Sequence, residues 1–217
     1  MSQNLEYFMI VNELLKRYAA GERDFEELNL QGAYLSKVNL PGANLRRVDL
    51  RGANLRGASL QGINLSYADL SKADLSAANL AGANLEEAIL EATNLSKANL
   101  IKTNLKKAKL TGANLQEASL MLANLSQAIL DAVDLHGATL HQGILHRASL
   151  KDADLIGAIL QETDLRGADL NRACLIRADI SNAVLMVADL TNAVLLGAEL
   201  QGTDLSGATM PDGKMHD

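Results

Sequence analysis

The sequence predicts an all-β solenoid, a rod in which a short repeat winds around an axis filled by its own side chains. Leucine recurs at every fifth position from Leu30 to Leu205, and Ile180 is the one exception. A small apolar residue, usually alanine, stands two positions before each leucine, as in Ala43 before Leu45. Aromatic residues make up only 3% of the 217 residues, so the core must consist of small and aliphatic side chains.

A period of five fits neither a helix nor a continuous strand. On an α-helix the leucines would spiral around the cylinder, and on a straight strand they would alternate between its two faces. The pattern becomes consistent if each alanine and leucine point inward from a short extended segment and the chain then bends. Of the 16 glycines, 13 lie two residues after a repeat leucine, where a type II turn needs a positive φ. Where Lys, Arg, Glu or Ala occupies that position, we expect a turn without positive φ.

The unit Ala-(Asn/Asp)-Leu-x-x runs from Leu28 to Met210 and resembles the pentapeptide-repeat family. That resemblance implies a right-handed quadrilateral β-helix with four repeats in each coil. The repeats between Leu30 and Leu205 would then form about nine coils in a rod of about 43 Å. The segments 13–21 and 210–217 are similar to the termini of cyanobacterial members, including a regulator of heterocyst formation.

Three parts are expected along the chain: a helical cap over residues 1–25, the repeat over 26–210 and a C-terminal tail over 211–217. Apolar residues at helical spacing before Ala20-Gly21 predict an amphipathic helix that covers the first coil, because the end of a solenoid otherwise exposes its core. A helix that binds a partner is the alternative. These apolar residues are Leu5, Phe8, Met9, Val11, Leu14, Leu15 and Tyr18.

No arrangement of residues in the sequence predicts catalysis, a cofactor or a metal site, so we expect the protein not to be an enzyme. His136, His141 and His146 are five residues apart, which in this fold places them on three different sides and prevents shared metal coordination. Asparagines spaced by 20 are expected to stack in a ladder that hydrogen-bonds the corner backbone. They are Asn44, Asn64, Asn84, Asn104 and Asn124.

Apolar residues at outward positions provide the candidate site. Ile156, Ile176 and Leu196 are spaced by 20 and form one column, which Cys174 and Val194 flank. A contiguous apolar stripe on a surface predicts an interface. The alternatives are tolerated sequence drift and coverage by the C-terminal tail. Two further patches are predicted, one on the opposite side and one elsewhere: Val184 with Met186 and Val187, and Ile101 with Met121 and Leu122.

Charge is uneven along the rod, although the net charge is only −6. Residues 37–109 hold 11 basic and 6 acidic side chains, whereas residues 111–210 hold 5 basic and 12 acidic ones. The leading hypothesis is a non-enzymatic scaffold that binds a protein partner and has a regulatory role. The alternative is a DNA-mimicking inhibitor of type II topoisomerase, but the basic segment around Arg46, Arg47, Arg51 and Arg56 does not suit a DNA mimic.

The expected partner is therefore a protein. Nucleic acid is disfavoured by the negative net charge and the scarcity of aromatic residues. We expect no small-molecule substrate, because a filled core leaves no pocket, and no membrane span, because no stretch approaches about 20 uninterrupted apolar residues. A homodimer is left open. A single cysteine and the absence of a recognisable secretory signal favour a cytoplasmic location.

Overall fold

The computed structural model describes residues 3–217, with side chains described from residue 9 onward. The helix α1 spans Gln3–Ala19, and single-residue parallel β-bridges follow from Asp24 to the C-terminal coil. Each parallel bridge joins a residue to the one 20 positions later, as Asp24 joins Asn44. Four five-residue repeats therefore complete one coil, and the rod has four sides. No helix within residues 3–217 is long and apolar enough to cross a membrane.

We number the sides by their first bridge residue. Side 1 starts at Asp24, side 2 at Asn29, side 3 at Tyr34 and side 4 at Asn39, and each continues at every twentieth residue. The segment that turns from one side to the next is called a corner. This bridge spacing confirms the predicted four-sided coil. The residue pattern within a single repeat does not specify the number of sides.

Neighbouring coils are joined by backbone hydrogen bonds that alternate in direction. The Asn44 N–H donates to the Arg23 carbonyl of the preceding coil at 2.7 Å, and the Leu45 N–H donates to the Asn64 carbonyl of the next coil at 2.8 Å. Each side is thus a parallel ladder only one bridge wide. Its stability comes from stacking many coils, because an isolated rung has few hydrogen bonds.

The corners are β-turns closed by a hydrogen bond between the residues on either side. The Ala98 N–H donates to the Leu95 carbonyl at 3.0 Å, and Lys97, two residues after the leucine, has a φ of 58°. Every corresponding corner residue from Glu27 to Gly207 has a positive φ, whether or not it is glycine. The expectation that non-glycine corners avoid positive φ is therefore wrong.

Stacking explains why these residues accept a conformation that costs about 1–2 kcal/mol outside glycine. The Lys97 N–H donates to the Gln116 carbonyl of the next coil at 2.8 Å, so the corner belongs to the same ladder as the sides. A turn of different geometry would break this bond and tilt the following side. The neighbouring coils therefore dictate the corner conformation, and residue type has little influence on it.

The core consists of the repeat leucines and the small residues two positions before them. Almost all are less than 2% exposed, including Ala83, Leu85 and Ile63. Threonine replaces alanine at Thr93, where its buried hydroxyl donates to the Leu70 carbonyl at 2.8 Å. These buried side chains pack together along the axis of the rod as one continuous core.

The two ends of the rod are closed differently. At the N-terminal end Val11 and Leu14 of α1 are buried against the first coil, and the Tyr18 hydroxyl donates to the Pro41 carbonyl at 2.8 Å. Met9 is 59% exposed and lies outside this contact, and the side chains of Leu5 and Phe8 lie outside the described part of the chain.

At the C-terminal end the core is only partly covered. The tail turns back and pairs antiparallel with side 2, where Thr209 bridges Met215. Four inward residues of the last coil remain partly exposed, in contrast to their buried counterparts in earlier coils: Leu195, Leu200, Leu205 and Met210.

A core truncation tests the leucine ladder. We expect Leu85→Ala to lower the free energy of unfolding by about 2–5 kcal/mol, because it leaves a cavity where the neighbouring coils cannot collapse. The neighbouring surface change Glu86→Ala should remain within about 0.5 kcal/mol of the wild type. Urea denaturation of both variants measures the difference, and equal effects would contradict the filled-axis structure.

A pair of reciprocal substitutions tests the corner strain. Val187 is 68% exposed with a φ of 53°, and Asn192 has a φ of 60°. Because asparagine tolerates positive φ better than a β-branched residue, Val187→Asn should stabilise the protein and Asn192→Val should destabilise it, each by about 1 kcal/mol. Thermal denaturation is the measurement, and shifts of the same sign in both variants would refute the strain argument.

Candidate interaction surface

The five residues of the candidate interface meet on one side of the rod. We call Ile156, Ile176, Leu196, Cys174 and Val194 the side-3 stripe. Backbone hydrogen bonds place them on three successive coils: Gly157 N–H to the Ile176 carbonyl at 2.9 Å, and Leu175 N–H to the Val194 carbonyl at 2.8 Å. The residues are therefore contiguous in space, as their spacing predicts, and their role as an interface remains a prediction.

Exposure of the stripe increases toward the C-terminal end. Ile156, Ile176 and Cys174 are half-buried by their neighbours, whereas Val194 is 45% and Leu196 is 72% exposed. The C-terminal tail lies on side 2 and leaves Leu196 open to solvent. The tail therefore does not cover the whole stripe, which was one of the alternatives that the sequence left open.

The stripe also interrupts a hydrogen bond that most repeats make. An Asp or Asn at the bridge position accepts the N–H two residues later, as Asp154 Oδ1 accepts the Ile156 N–H at 3.0 Å. Cys174 and Val194 stand at this position in the next two coils, and within residues 3–217 the N–H groups of Ile176 and Leu196 have no acceptor. Each such loss forgoes about 0.5–1.5 kcal/mol.

Other apolar residues replace the bridge-position carboxamide or carboxylate, but in isolation. Ile129, Ile144 and Ile159 lie on sides 2, 1 and 4, and the bridge residues directly before and after each on its own side are polar or charged. The hydrogen bond is also missing in consecutive coils on sides 2 and 4, but there Lys109, Ser119 or Thr139 keeps a polar group at the bridge position. Side 3 differs because apolar residues occupy the position in two consecutive coils while an apolar column runs beside them. This combination was visible in the sequence only after the period of 20 was assumed.

The two smaller patches are also present. On side 1 Met186 is 39% and Val187 is 68% exposed beside a half-buried Val184, all within a single coil. At the end of side 4 Ile101 and Met121 stack on successive coils, and the neighbouring Leu122 is 43% exposed. Both patches are shorter along the rod than the side-3 stripe.

The asparagine ladder on side 1 is structural. Asn64 Nδ2 donates to Asn44 Oδ1 at 2.9 Å and Asn104 Nδ2 donates to Asn84 Oδ1 at 3.0 Å. Each Oδ1 also accepts the N–H of the corner that follows, as Asn84 does from Glu86 at 3.1 Å. From Asn44 to Asn104 these side chains hold the backbone and each other, whereas Asn124 accepts from Ser126 and does not donate to Asn104.

The histidines do not converge on a common site. His136, His141 and His146 follow sides 3, 4 and 1 in turn, and the first is exposed while the other two are half-buried. Within the described residues no group of three His, Cys, Asp or Glu side chains is arranged to hold a metal ion. The structure thus offers the histidines no shared chemistry.

The arginines of the basic segment are largely engaged by neighbouring side chains. Arg46 lies 3.9 Å from Glu26 and Arg47 lies 3.5 Å from Glu27, each pair joining two successive coils. Both guanidinium groups also lie over the Tyr67 ring, at 5.0 and 5.9 Å from its centroid. These contacts reduce the positive charge that the segment presents to a polyanion.

Carboxylates on sides 2 and 1 neutralise further basic groups. Arg51 donates to Asp49, and this hydrogen bond lowers the pKa of the Asp49 carboxyl below its ordinary value. In the same way Arg166 lowers the pKa of Asp164. These two carboxylates are therefore ionised at neutral pH and form short-range ion pairs with the arginines two residues later.

A hollow of about 430 Å³ lies between α1 and the first coil. Its walls are mainly apolar and include one carboxylate, from Glu13, and one guanidinium group, from Arg17. These two groups are not a nucleophile and a general base. It is lined by Met9, Ile10, Glu13, Leu14, Arg17 and Leu28.

Comparison with known proteins agrees with this geometry. The family model for pentapeptide repeats matches residues 29–66, 68–106, 88–127, 108–147, 148–185 and 188–212. HetL, a pentapeptide-repeat protein involved in regulating heterocyst differentiation in the cyanobacterium Nostoc sp. strain PCC 7120, has a similar crystal structure. It is 38% identical, with a TM-score of 0.83 over 94% of this chain and 98% of HetL.

Two further solved structures align less well. The Nostoc protein alr5209 is 43% identical over 50% of this chain and 79% of its own, with a TM-score of 0.34. QnrB1, a plasmid-mediated fluoroquinolone resistance protein, is 18% identical over 83% of this chain and 89% of its own, with a TM-score of 0.42. No curated protein sequence matches the chain.

The repeat match extends over most of the chain, and the HetL alignment includes nearly all of both proteins. The four-sided bridge ladder agrees with the right-handed quadrilateral β-helix of these relatives. The chain therefore belongs to the pentapeptide-repeat family.

Proposed function

We propose that this protein is a non-enzymatic scaffold that binds another protein through the side-3 stripe. The observation that carries the proposal is that apolar residues, Cys174 and Val194, replace the backbone-capping group in two consecutive coils beside the apolar column of Ile156, Ile176 and Leu196. These apolar side chains point outward, so their burial in the rod does not compensate for the lost hydrogen bonds. A partner that covers the stripe would recover that free energy by burying apolar surface.

The filled axis supports this reading, because it leaves the exterior as the working surface. Inward positions such as Leu85 and Ala83 are about 1% exposed, and small-molecule sites are usually concave and enclosed. Likeness to HetL supports a regulatory role, since HetL is involved in regulating heterocyst differentiation. The single cysteine is consistent with a reducing cytoplasm as the compartment.

The surface charge does not favour the topoisomerase-inhibitor alternative. A mimic of duplex DNA needs a continuous negative face, whereas here pairs such as Lys107 with Glu87 at 3.3 Å alternate the sign along the rod. The TM-score of 0.42 with QnrB1 is too low to add an argument.

Affinity capture tests the stripe. We expect Ile176→Lys to reduce recovery of the protein partner at least tenfold, because it places a charge in the middle of the buried contact. Leu122→Lys is the matched control, since it changes an exposed apolar residue of similar size on another side. Both variants should keep the wild-type thermal transition. Equal recovery with Ile176→Lys, Leu122→Lys and wild type would contradict the proposal.

A DNA supercoiling assay distinguishes the scaffold function from the topoisomerase-inhibitor alternative. We expect purified protein at micromolar concentration to leave DNA gyrase activity unchanged, because basic side chains such as Arg46, Arg47 and Lys107 interrupt the acidic groups along the rod. A known gyrase inhibitor serves as the positive control. Concentration-dependent inhibition that is insensitive to Ile176→Lys would favour the DNA-mimic function over the scaffold.

A further inference from the structure

The last coil of the rod ends in an open strand edge. Leu175 and Arg177 donate their N–H groups to Val194 and Leu196 in the next coil, at 2.8 and 3.0 Å. The equivalent groups of the last coil point beyond it, and within residues 3–217 they have no acceptor: Leu195, Gly197, Leu200, Gly202 and Leu205. Sides 3, 4 and 1 therefore each present unpaired backbone donors.

The N-terminal end and side 2 of the last coil are covered by other elements, although the N–H groups of Asn29, Tyr34 and Asn39 in the first coil have no acceptor within residues 3–217. At the N-terminal end α1 packs across the first coil and buries Leu30 and Leu35 to within 2% exposure. On side 2 of the last coil the tail supplies a further rung, in which His216 donates to the Ala208 carbonyl at 2.8 Å and accepts from Gly207 at 2.9 Å. This rung shows that the terminal edge can pair with an extended segment.

Side 3 combines the open edge with the most exposed apolar residues of the stripe. Val194 and Leu196 lie on the terminal rung itself, next to the unpaired N–H groups of Leu195 and Gly197. Open edges are normally protected by lysine, proline or a covering element, because they attract other strands. Residues 193–197 contain none of these protecting residues, so the exposed edge is suited to strand pairing.

We propose that residues 193–197 bind an extended, aliphatic segment of a protein partner by strand addition, so that the segment forms the next rung of side 3. Its carbonyl groups accept the N–H groups of Leu195 and Gly197, and an outward aliphatic side chain extends the Ile156, Ile176 and Leu196 column. The segment lies about 4.8 Å beyond the last coil. This inference rests on the proposed function and specifies how the partner engages the stripe.

A separate extended segment fits this edge better than a second copy of the rod. The tail rung already projects beyond the last coil on side 2, where Thr209 bridges Met215. Two such ends cannot pack flat against each other. The projecting tail rung of each rod would keep the last coil of the other rod away from the unpaired sides 3, 4 and 1. One strand faces no such obstacle on side 3.

Amide hydrogen exchange tests the pairing with a defined probe. The probe is an acetylated and amidated peptide with the sequence of residues 189–199, which has the small-x-Leu-aliphatic pattern of a rung. In the free protein we expect the Leu195 and Gly197 amides to exchange at least tenfold faster than those of Leu175 and Arg177, which are paired. Peptide at millimolar concentration should slow the first pair at least tenfold and leave the second pair unchanged.

Two controls isolate backbone pairing from apolar adhesion. The same peptide N-methylated at its valine cannot donate that N–H and should give no protection. Leu196→Lys should weaken protection at least tenfold, whereas Leu122→Lys should not change it. Equal protection by both peptides, protection confined to the Leu200 and Gly202 amides, or no protection at millimolar peptide would each overturn the proposal. A concentration-dependent dimer in sedimentation that protects Leu195 without peptide would overturn the assigned occupant.

The proposal that a partner binds the stripe and the proposal of strand addition can be rejected independently. Ile176 lies one coil before the terminal coil, so its N–H group is not part of the open edge. Loss of partner capture with Ile176→Lys together with no peptide protection would retain the scaffold proposal and reject strand addition. Peptide protection together with unchanged capture in Ile176→Lys would reject the stripe as the partner's contact surface.

Discussion

The structure depends on the hydrogen-bond register between residues 20 positions apart. Each coil uses the N–H and carbonyl groups of its neighbours, so one rung cannot tilt or lengthen without disturbing the rungs on both sides. The leucine layers contribute most of the apolar burial. The register decides which residues stack, and therefore which side chains form continuous columns on the surface.

The register also explains why the surface chemistry is organised by columns. Asparagines on side 1 satisfy one another and the corner backbone, while charged residues at the corners pair with partners one coil away, as Arg47 does with Glu27. Most of this polarity stabilises the rod locally, where exposed ion pairs contribute little individually. The side chains of the side-3 stripe neither cap the backbone nor form ion pairs between coils, so they do not stabilise the rod in this way. Of the apolar patches described above, this stripe is the longest along the rod.

The same register has a consequence at the ends. Internal coils satisfy each other, but a terminal coil needs another element, which is α1 at one end and the tail on side 2 at the other. Three sides of the last coil keep unpaired donors within the described chain. Backbone donors specify an extended segment more directly than an apolar patch does, because they require a partner with carbonyl groups at strand spacing.

The sequence by itself determined which residues point inward, where the chain bends and which outward residues are apolar, because all three follow from a repeat that never changes register between Leu30 and Leu205. It also predicted the stripe of Ile156, Ile176 and Leu196 once the four-sided coil of the resembled family was assumed. Only the tertiary structure decided the rest. Closure into four sides, the positive φ of corners such as Lys97, and the open donors of Leu195 and Gly197 depend on hydrogen bonds between residues about 20 apart. A five-residue pattern contains no information about such partners, since the stacked coils exist only after the chain has folded.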